Sequence, residues 1–195
     1  MRKRLIPVLL VLVFALAACG REYDKGDAKK SSITVHSDGS VDCVLLREFA
    51  QTYYSEDELV SDTEEAIAAY NIAAGSEKIK LTDHQARDGL AALALSFGSA
   101  EDYDAFMGPE LYLGTVQGAY DRGESFDQAL SYAKKPERVI GKNDLMNMAG
   151  ERILVVEGDM AVNLPMAPKY YTFGMLRTGE NSLEATAEGI YFIIY

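Results

Sequence analysis

Histidine and cysteine side chains, which carry much of the nucleophilic, acid–base and metal chemistry of proteins, are rare in this sequence. The 195 residues include only His36, His84, Cys19 and Cys43. The sequence lacks the His-x-x-x-His and Cys-x-x-Cys spacings of zinc sites, the Gly-x-Ser-x-Gly elbow of hydrolases and the glycine-rich loop of nucleotide-binding proteins. These observations favour a domain without a catalytic centre, and we expect neither a metal nor a cofactor.

Carboxylates are abundant and leave two other kinds of chemistry open. Six acidic side chains lie within residues 56–65; calcium favours oxygen ligands, but charge at a helix N-terminus also explains the acids. The segment from Asp38 to Asp42 resembles part of a calcium loop, although a hairpin turn explains it better. Glu157 and Asp159 are candidates for the paired carboxyl groups of a hydrolase, which must lie about 5–10 Å apart in a cleft.

Tyrosine is frequent, with twelve copies in the chain. Exposed tyrosine is effective binding surface because it offers a large contact area at a low entropy cost. The alternative is that these rings are buried at strand positions. Five positions in the second half of the chain form our candidate binding surface: Tyr112, Tyr120, Tyr132, Tyr170 and Tyr171.

Cys19 follows a basic and then apolar N-terminal sequence. Three basic residues, Arg2 to Arg4, precede fourteen apolar residues at positions 5–18, fewer than the roughly 20 that span a bilayer. This pattern is typical of a secretory signal, and Leu16-Ala17-Ala18-Cys19 resembles the lipobox of bacterial lipoproteins. The resemblance implies cleavage between Ala18 and Cys19, a diacylglyceryl group on the Cys19 thiol, and anchoring at the extracytoplasmic face of the cell membrane.

The predicted organisation of the chain follows from that signal. We expect a signal peptide over residues 1–18, a lipidated cysteine and flexible tether over 19–32, and one α+β domain over 33–195, with possible sub-halves 33–108 and 109–195. The formal net charge of −11 argues against a nucleic-acid partner. It also predicts that anionic lipid and anionic wall polymers repel the domain, so that the lipid on Cys19 is its sole attachment to the membrane.

Local signals in the first half predict the order β-β-α-β-β-α. Asp38-Gly39 is typical of a type I′ hairpin turn between strands at 33–35 and 41–49. Ser55 and Gly75 cap a long helix. Strands at 78–82 and 93–97 follow, joined by a loop over 83–89, and then comes a short helix capped by Ser99. Cys43, with no disulfide partner left, is expected to be buried.

The second half is predicted to be rich in hairpins. We expect a strand or helix start at 111–116, a short helix at 143–149, and hairpins turning at residues 158–159 and 179–181. Residues 190–195 are apolar on both faces, which indicates a strand covered on both sides. The predicted fold is therefore α+β, with one or more antiparallel sheets, one long helix and one or two short helices packed on one face.

Several segments together resemble a group of uncharacterised lipoproteins of clostridial bacteria: Ile33-Thr-Val35, Asp38-Gly39-Ser40-Val41, Tyr53-Tyr54, Glu58-Leu59, Ala100-Glu101-Asp102-Tyr103 and the Tyr-Phe-Ile-Ile-Tyr end. The resemblance implies a Gram-positive cell surface and assigns no activity. The leading hypothesis is a non-catalytic, lipid-anchored domain that binds a protein, a glycan or a wall component. The alternatives are a small ligand- or cation-binding lipoprotein that serves a transporter and, more weakly, a carboxylate-dependent hydrolase.

Overall fold

The computed structural model describes residues 30–108 and 111–195. The signal peptide and the predicted cleavage and lipidation at Ala18 and Cys19 lie outside these residues. In the described ranges no helix combines the length and the apolar character that a bilayer span requires. The helices are α1 (Glu56–Ala74), α2 (Ala100–Met107), α3 (Val116–Asp121) and α4 (Lys142–Met146). The strands are β1 (Ser32–Val35), β2 (Val41–Glu48), β3 (Ile79–Arg87), β4 (Leu90–Phe97), β5 (Leu111–Thr115), β6 (Leu130–Tyr132), β7 (Lys135–Ile140), β8 (Arg152–Glu157), β9 (Ala161–Asn163), β10 (Tyr170–Thr172), β11 (Leu176–Arg177), β12 (Ser182–Glu184) and β13 (Ile190–Ile194).

The strands form two sheets. Sheet A has the order β11-β12-β9-β1-β2-β4-β3, and sheet B has the order β5-β8-β13-β10-β6-β7. Every described pairing is antiparallel except that between β1 and β9. The α+β prediction is confirmed. Sheet A contains β1 to β4 from the predicted sub-half 33–108 and β9, β11 and β12 from the sub-half 109–195. The two sheets therefore do not correspond to the two predicted sub-halves.

The C-terminal strand β13 lies inside sheet B, between β8 and β10. Tyr191 and Ile193 belong to a core cluster that contains residues of both sheets. Phe192 and Ile194 point the other way, into a second cluster with Val116 of α3 and other residues of α3 and α4. The prediction of a strand covered on both faces is confirmed. The helices divide between the two clusters, α1 and α2 in the first and α3 and α4 in the second, and do not share one face.

Two Asp-Gly turns in sheet A have different geometries. The first hairpin is confirmed, but its turn is not type I′, because of the residues between β1 and β2 only Gly39 has a positive φ, of 90°. The Gly39 N–H donates to the His36 carbonyl, so a left-handed glycine follows a tight turn. Asp88 and Gly89, in contrast, have φ values of 54° and 77°, as a type I′ turn requires. The loop predicted over 83–89 is therefore wrong, because β3 continues to Arg87.

The second half has one of its two predicted hairpins. The prediction at residues 158–159 is wrong, because β8 belongs to sheet B and β9 to sheet A, so the chain crosses between sheets there. The hairpin around residues 179–181 is confirmed in its inner part, where Arg177 pairs with Leu183. Tyr170 and its neighbours in β10 pair with β6 and β13 in the other sheet, so the hairpin does not extend back to them.

Helix α1 runs along the edge strand of sheet A. The Asn71 amide donates to the Ile79 carbonyl at 2.8 Å and accepts from the Ile79 N–H at 3.0 Å. At the other end of the helix, Glu56 Oε1 accepts from the Ala86 N–H at 3.1 Å. The lengths of the helix and the strand between these contacts are nearly equal. The 15 helical steps from Glu56 to Asn71 span about 22 Å, and the seven strand steps from Ile79 to Ala86 span about 23 Å. Helix α1 therefore occupies backbone groups that an edge strand leaves unpaired.

Lys30 fixes the start of the domain. Its Nζ lies 2.6 Å from Asp159 Oδ1 and 3.3 Å from Glu184 Oε1, and it donates to the Ala185 carbonyl at 2.7 Å. The hydrogen bond to Asp159 raises the Lys30 pKa. Ser32, which we predicted to lie in the tether, is buried in β1. The folded domain therefore includes Lys30.

Candidate functional site

Four of the five candidate tyrosines lie on the outer face of sheet B, the face that carries α3 and α4. Tyr112 and Tyr170 pack against the second core cluster, Tyr132 pairs with Tyr170 across β6 and β10, and Tyr120 is in α3. Tyr171 faces the opposite side, in the core that joins the sheets, and is 5% exposed. The prediction that Tyr171 belongs to a binding surface is therefore wrong, because strand alternation turns it inward.

Two of these tyrosines form a pair with a cation beside it. The Tyr132 and Tyr170 ring centroids are 5.2 Å apart with their planes inclined at 38°. The Arg138 guanidinium lies over the Tyr132 ring at 5.9 Å from its centroid. Both rings are half-buried and Arg138 is exposed. Part of each ring and the guanidinium group are therefore accessible to a ligand, while the paired strands β6 and β10 hold the two rings side by side.

Tyr120 forms a second aromatic–cation pair. It is 43% exposed on α3, and Lys142 Nζ, at the start of α4, lies 5.7 Å from its ring centroid. Lys142 follows β7, the strand that carries Arg138. We refer to these five residues as the tyrosine–cation stripe: Tyr120, Tyr132, Arg138, Lys142 and Tyr170. Its aromatic rings can stack on an apolar or sugar face, and its cations can pair with anionic groups.

Tyr112 is held by its own local structure. Its hydroxyl accepts from the Thr115 N–H at 3.3 Å, and the Arg122 guanidinium lies 4.8 Å from its ring centroid. A Cβ on Gly114 or Gly118 would lie 2.2 Å or 2.1 Å from the hydroxyl oxygen. Tyr112 therefore fills a space kept open by two glycines, and it contributes to the packing of β5 and α3 in preference to a free binding surface.

Both histidines pair with carboxylates. His36 Nε2 lies 2.8 Å from Asp42 Oδ2, and His84 Nδ1 lies 3.0 Å from Glu56 Oε1. The first pair brackets the β1–β2 turn and the second links β3 to α1. These contacts give each histidine a place in the fold, consistent with the absence of a catalytic spacing in the sequence.

Cys43 is buried in the core, as the sequence predicts. Burial raises the pKa of its thiol to about 12, so the reactive thiolate is scarce at neutral pH. Its polar neighbour is the Tyr103 hydroxyl, which is itself buried without a well-formed hydrogen bond. Burial likewise raises the Tyr103 pKa. The pair is packed as part of the core, and its thiol is not positioned for chemistry.

Two of the candidate carboxylates, Asp38 and Asp159, make structural contacts. Asp38 accepts from the Ser40 N–H at 3.0 Å and from the Ser40 hydroxyl at 2.7 Å, and the hydroxyl contact lowers the Asp38 pKa. The turn therefore explains Asp38 without calcium. Asp159 pairs with Lys30, which engages one member of the proposed hydrolase pair. Within residues 30–108 and 111–195, no three histidine, cysteine or acidic side chains are grouped closely enough to bind a metal.

Sequence reasoning missed the two cations of the stripe. Arg138 lies in the exposed edge strand β7, which pairs with β6, and Lys142 begins α4. A signal was present, because residues 134–152 contain five basic and three acidic residues in a chain of net charge −11. This local excess of positive charge follows directly after Tyr132.

Comparison with known proteins gave no significant match to any protein-family model, curated protein or solved structure.

Proposed function

We propose that this protein is a lipid-anchored domain of the extracytoplasmic cell surface that binds its partner through the tyrosine–cation stripe. The observation that carries the proposal is the pairing of half-exposed Tyr132 and Tyr170 with exposed Arg138 on one side of sheet B. Tyrosine and arginine are the residue types that most often dominate binding energy at interfaces. The anchor is the diacylglyceryl group expected on Cys19.

The chemistry of the stripe favours an anionic glycan or wall polymer as the partner. Aromatic rings stack on the C–H faces of sugars, and Arg138 and Lys142 supply charge for phosphate or carboxylate groups. Residues 134–152, which include Arg138 and Lys142, contain five basic and three acidic residues. The positive charge of this segment opposes the repulsion of anionic polymers that the chain's net charge of −11 predicts. A protein with an acidic, aromatic surface is the other partner that this chemistry accommodates.

A sedimentation experiment tests the surface. The protein is mixed with purified Gram-positive wall sacculi that carry their anionic polymers, and the bound fraction is measured. We expect the Tyr132→Ala, Arg138→Ala double variant to bind at least about tenfold more weakly. The Tyr53→Ala, Arg87→Ala double variant, an exposed tyrosine and arginine outside the stripe, is the matched control and should bind as the parent does. Equal binding by both variants, or no binding by the parent, would contradict this partner assignment.

A labelling experiment tests the anchor separately. Cells that express the full chain are fed radioactive palmitate, and the Cys19→Ala variant should take up none of it. That variant should also move from the detergent phase to the aqueous phase. A processed but unlabelled protein that stays in the detergent phase would refute lipidation at Cys19.

A further inference from the structure

A second aromatic group lies at one end of sheet A, far along the chain from the stripe. The Phe49 and Tyr54 ring centroids are 4.9 Å apart and stacked, and Tyr53 meets Tyr54 edge-on at 4.9 Å. Tyr53 is 75% exposed, Tyr54 45% and Leu90 48%. We refer to Phe49, Tyr53 and Tyr54 as the aromatic tip.

The turn of the β3–β4 hairpin is hydrogen-bonded to the backbone of the aromatic tip. The Phe49 N–H donates to the Gly89 carbonyl at 2.7 Å, and Leu90 pairs with Glu48 at the end of β2. The tip is therefore built on two strand ends and a tight turn. Exposed apolar rings held on such a support are a mark of a contact surface.

The chain joins the domain at the same end of sheet A. Ser32 pairs with Val44, so residues 45–48 of β2 extend about 14 Å beyond the start of β1. Ser31 lies alongside this extension of β2. Its hydroxyl accepts from the Leu46 N–H at 3.0 Å and from the Arg47 guanidinium at 3.4 Å. Ser31 therefore lies at the same end of sheet A as the aromatic tip.

The distance to the expected anchor is short. Eleven residue steps separate Cys19 from Lys30 in the sequence, and a chain of that length reaches at most about 40 Å. The sequence predicts a flexible tether here, and for such a linker the effective concentration of membrane lipid near the aromatic tip is in the millimolar range. A tip–lipid contact with a dissociation constant near 1 mM would then form about half of the time.

We infer that the aromatic tip rests in the interfacial layer of the membrane that holds Cys19, an inference that rests on the proposed lipidation. Tyrosine is enriched at this level of the bilayer because its ring is apolar and its hydroxyl remains hydrated. Charge does not drive the contact, since Arg47 and Arg87 are outnumbered by Glu48, Glu56, Asp57 and Asp88 at the same end. The tip therefore modifies our expectation that the acidic domain is held by its lipid alone.

The absence of tryptophan from the chain allows a direct test by a single fluorescent residue. The full-length, lipidated Tyr53→Trp variant is reconstituted in phosphatidylcholine vesicles with brominated or ordinary acyl chains. The matched control is Ile72→Trp, because Ile72 is 81% exposed and lies near the far end of α1, about 24 Å from Glu56. Flotation of the vesicles reports anchoring independently of the fluorescence.

The expected result is that both variants float and that brominated lipid quenches Tyr53→Trp at least about twofold more than Ile72→Trp, as for a residue at the interface. Floating protein with equal quenching in the two variants would overturn the tip contact and leave the anchor standing. Protein that fails to float would overturn both. A blue-shifted emission that grows with protein concentration without vesicles would assign the tip to a contact between copies, which also overturns the inference.

Discussion

Single residues decide how much of the aromatic surface is free. Tyr112 in β5 and Tyr120 in α3 lie on the same side of sheet B. Tyr112 is nevertheless enclosed by Gly114 and Gly118, while Tyr120 is exposed. The difference lies in the atoms around each ring, and residue type does not encode it. Gly118 is a helical position where alanine would ordinarily be preferred by about 1 kcal/mol, so its glycine indicates that the space is needed.

We expect the effect of Gly118→Ala on stability to depend on the residue at position 112. In the parent protein the new methyl group meets the Tyr112 hydroxyl, and the free energy of unfolding should fall by about 1–3 kcal/mol. In a Tyr112→Phe background that oxygen is absent, the nearest remaining contacts are at 3.3 Å, and the loss should largely disappear. Urea unfolding of the four proteins gives the coupling energy directly.

Gly114→Ala provides the control for this cycle. Its Cβ would also lie 2.4 Å from the Tyr112 ring carbon Cζ, so removal of the hydroxyl does not relieve the clash. We expect it to destabilise both backgrounds. Additive effects of Gly118→Ala and Tyr112→Phe would show that the hydroxyl does not fill this space.

At the scale of elements, α1 protects the edge of sheet A. Of its side chains only Ile67 is buried, so apolar packing alone holds it weakly and the side-chain contacts at its two ends matter. Asn71 satisfies the Lys78 and Ile79 amides. Edge strands whose backbone groups are free pair readily with other chains.

We therefore expect the Asn71→Ala variant to lose protection at the start of β3. Amide hydrogen exchange at Lys78 and Ile79 should accelerate, and the free energy of unfolding should fall by about 1–3 kcal/mol because the amide of buried Ile79 loses its acceptor. Glu64→Ala, an exposed substitution on the same helix, is the control and should leave exchange unchanged. Unaltered exchange in Asn71→Ala would contradict the protective role of α1.

The last strand is the element on which both cores depend. Deletion of residues 190–195 removes β13 from between β8 and β10 and opens both apolar clusters, so we expect an insoluble or unfolded protein. The single substitution Phe192→Ala should cost about 3–5 kcal/mol and separates local packing from loss of the strand. Calorimetry of the truncated protein checks this, and a cooperative transition near the full-length temperature would be inconsistent with it.

Local signals predicted the elements of the first half well, whereas α3, β6 and β7 of the second half were not predicted. Ser55 and Gly75 bracket α1 as expected because the capping interactions lie within a few residues. The crossing at residues 158–159 was misread as a hairpin because the turn residues alone do not specify which sheet each strand joins. The type I′ turn was assigned to Asp38-Gly39 although Asp88-Gly89 adopts it, since the two dipeptides are identical in sequence.

The candidate surface was predicted in part. Tyr120, Tyr132 and Tyr170 could be selected because tyrosine is a good contact residue, but the burial of Tyr171 depends on which face of β10 it occupies. Arg138 joins the surface through the pairing of β6 with β7, which no local pattern encodes. Residue type therefore indicated which tyrosines could form a binding surface. The tertiary structure determined which of them are exposed, and it placed Arg138 and Lys142 beside them.

At the scale of the whole molecule, the core should make the protein sensitive to alkaline pH. Burial raises the pKa of Cys43 to about 12 and raises those of Tyr103 and Tyr195. Each group then favours the folded state below its unfolded pKa, about 8.5 for cysteine and 10 for tyrosine, and this stability is lost as pH rises toward the folded value. Lys30, whose pKa is raised by Asp159, acts in the same direction.

We expect the urea midpoint of the Cys19→Ser protein to be steady near pH 7 and to decline progressively above about pH 8.5. Replacement of Cys43 by alanine should reduce the part of the decline below about pH 10. A midpoint that rises through this range would show that the thiol and the phenols are not buried as described.

We propose that a lipid on Cys19 holds this acidic α+β domain at a membrane. Mass spectrometry of the N-terminal peptide of the mature protein tests that claim most directly. We predict a peptide that begins at Cys19 and carries a thioether-linked diacylglyceryl group. A peptide that continues through the bond between Ala18 and Cys19, or one with a free Cys19 thiol, would contradict the account.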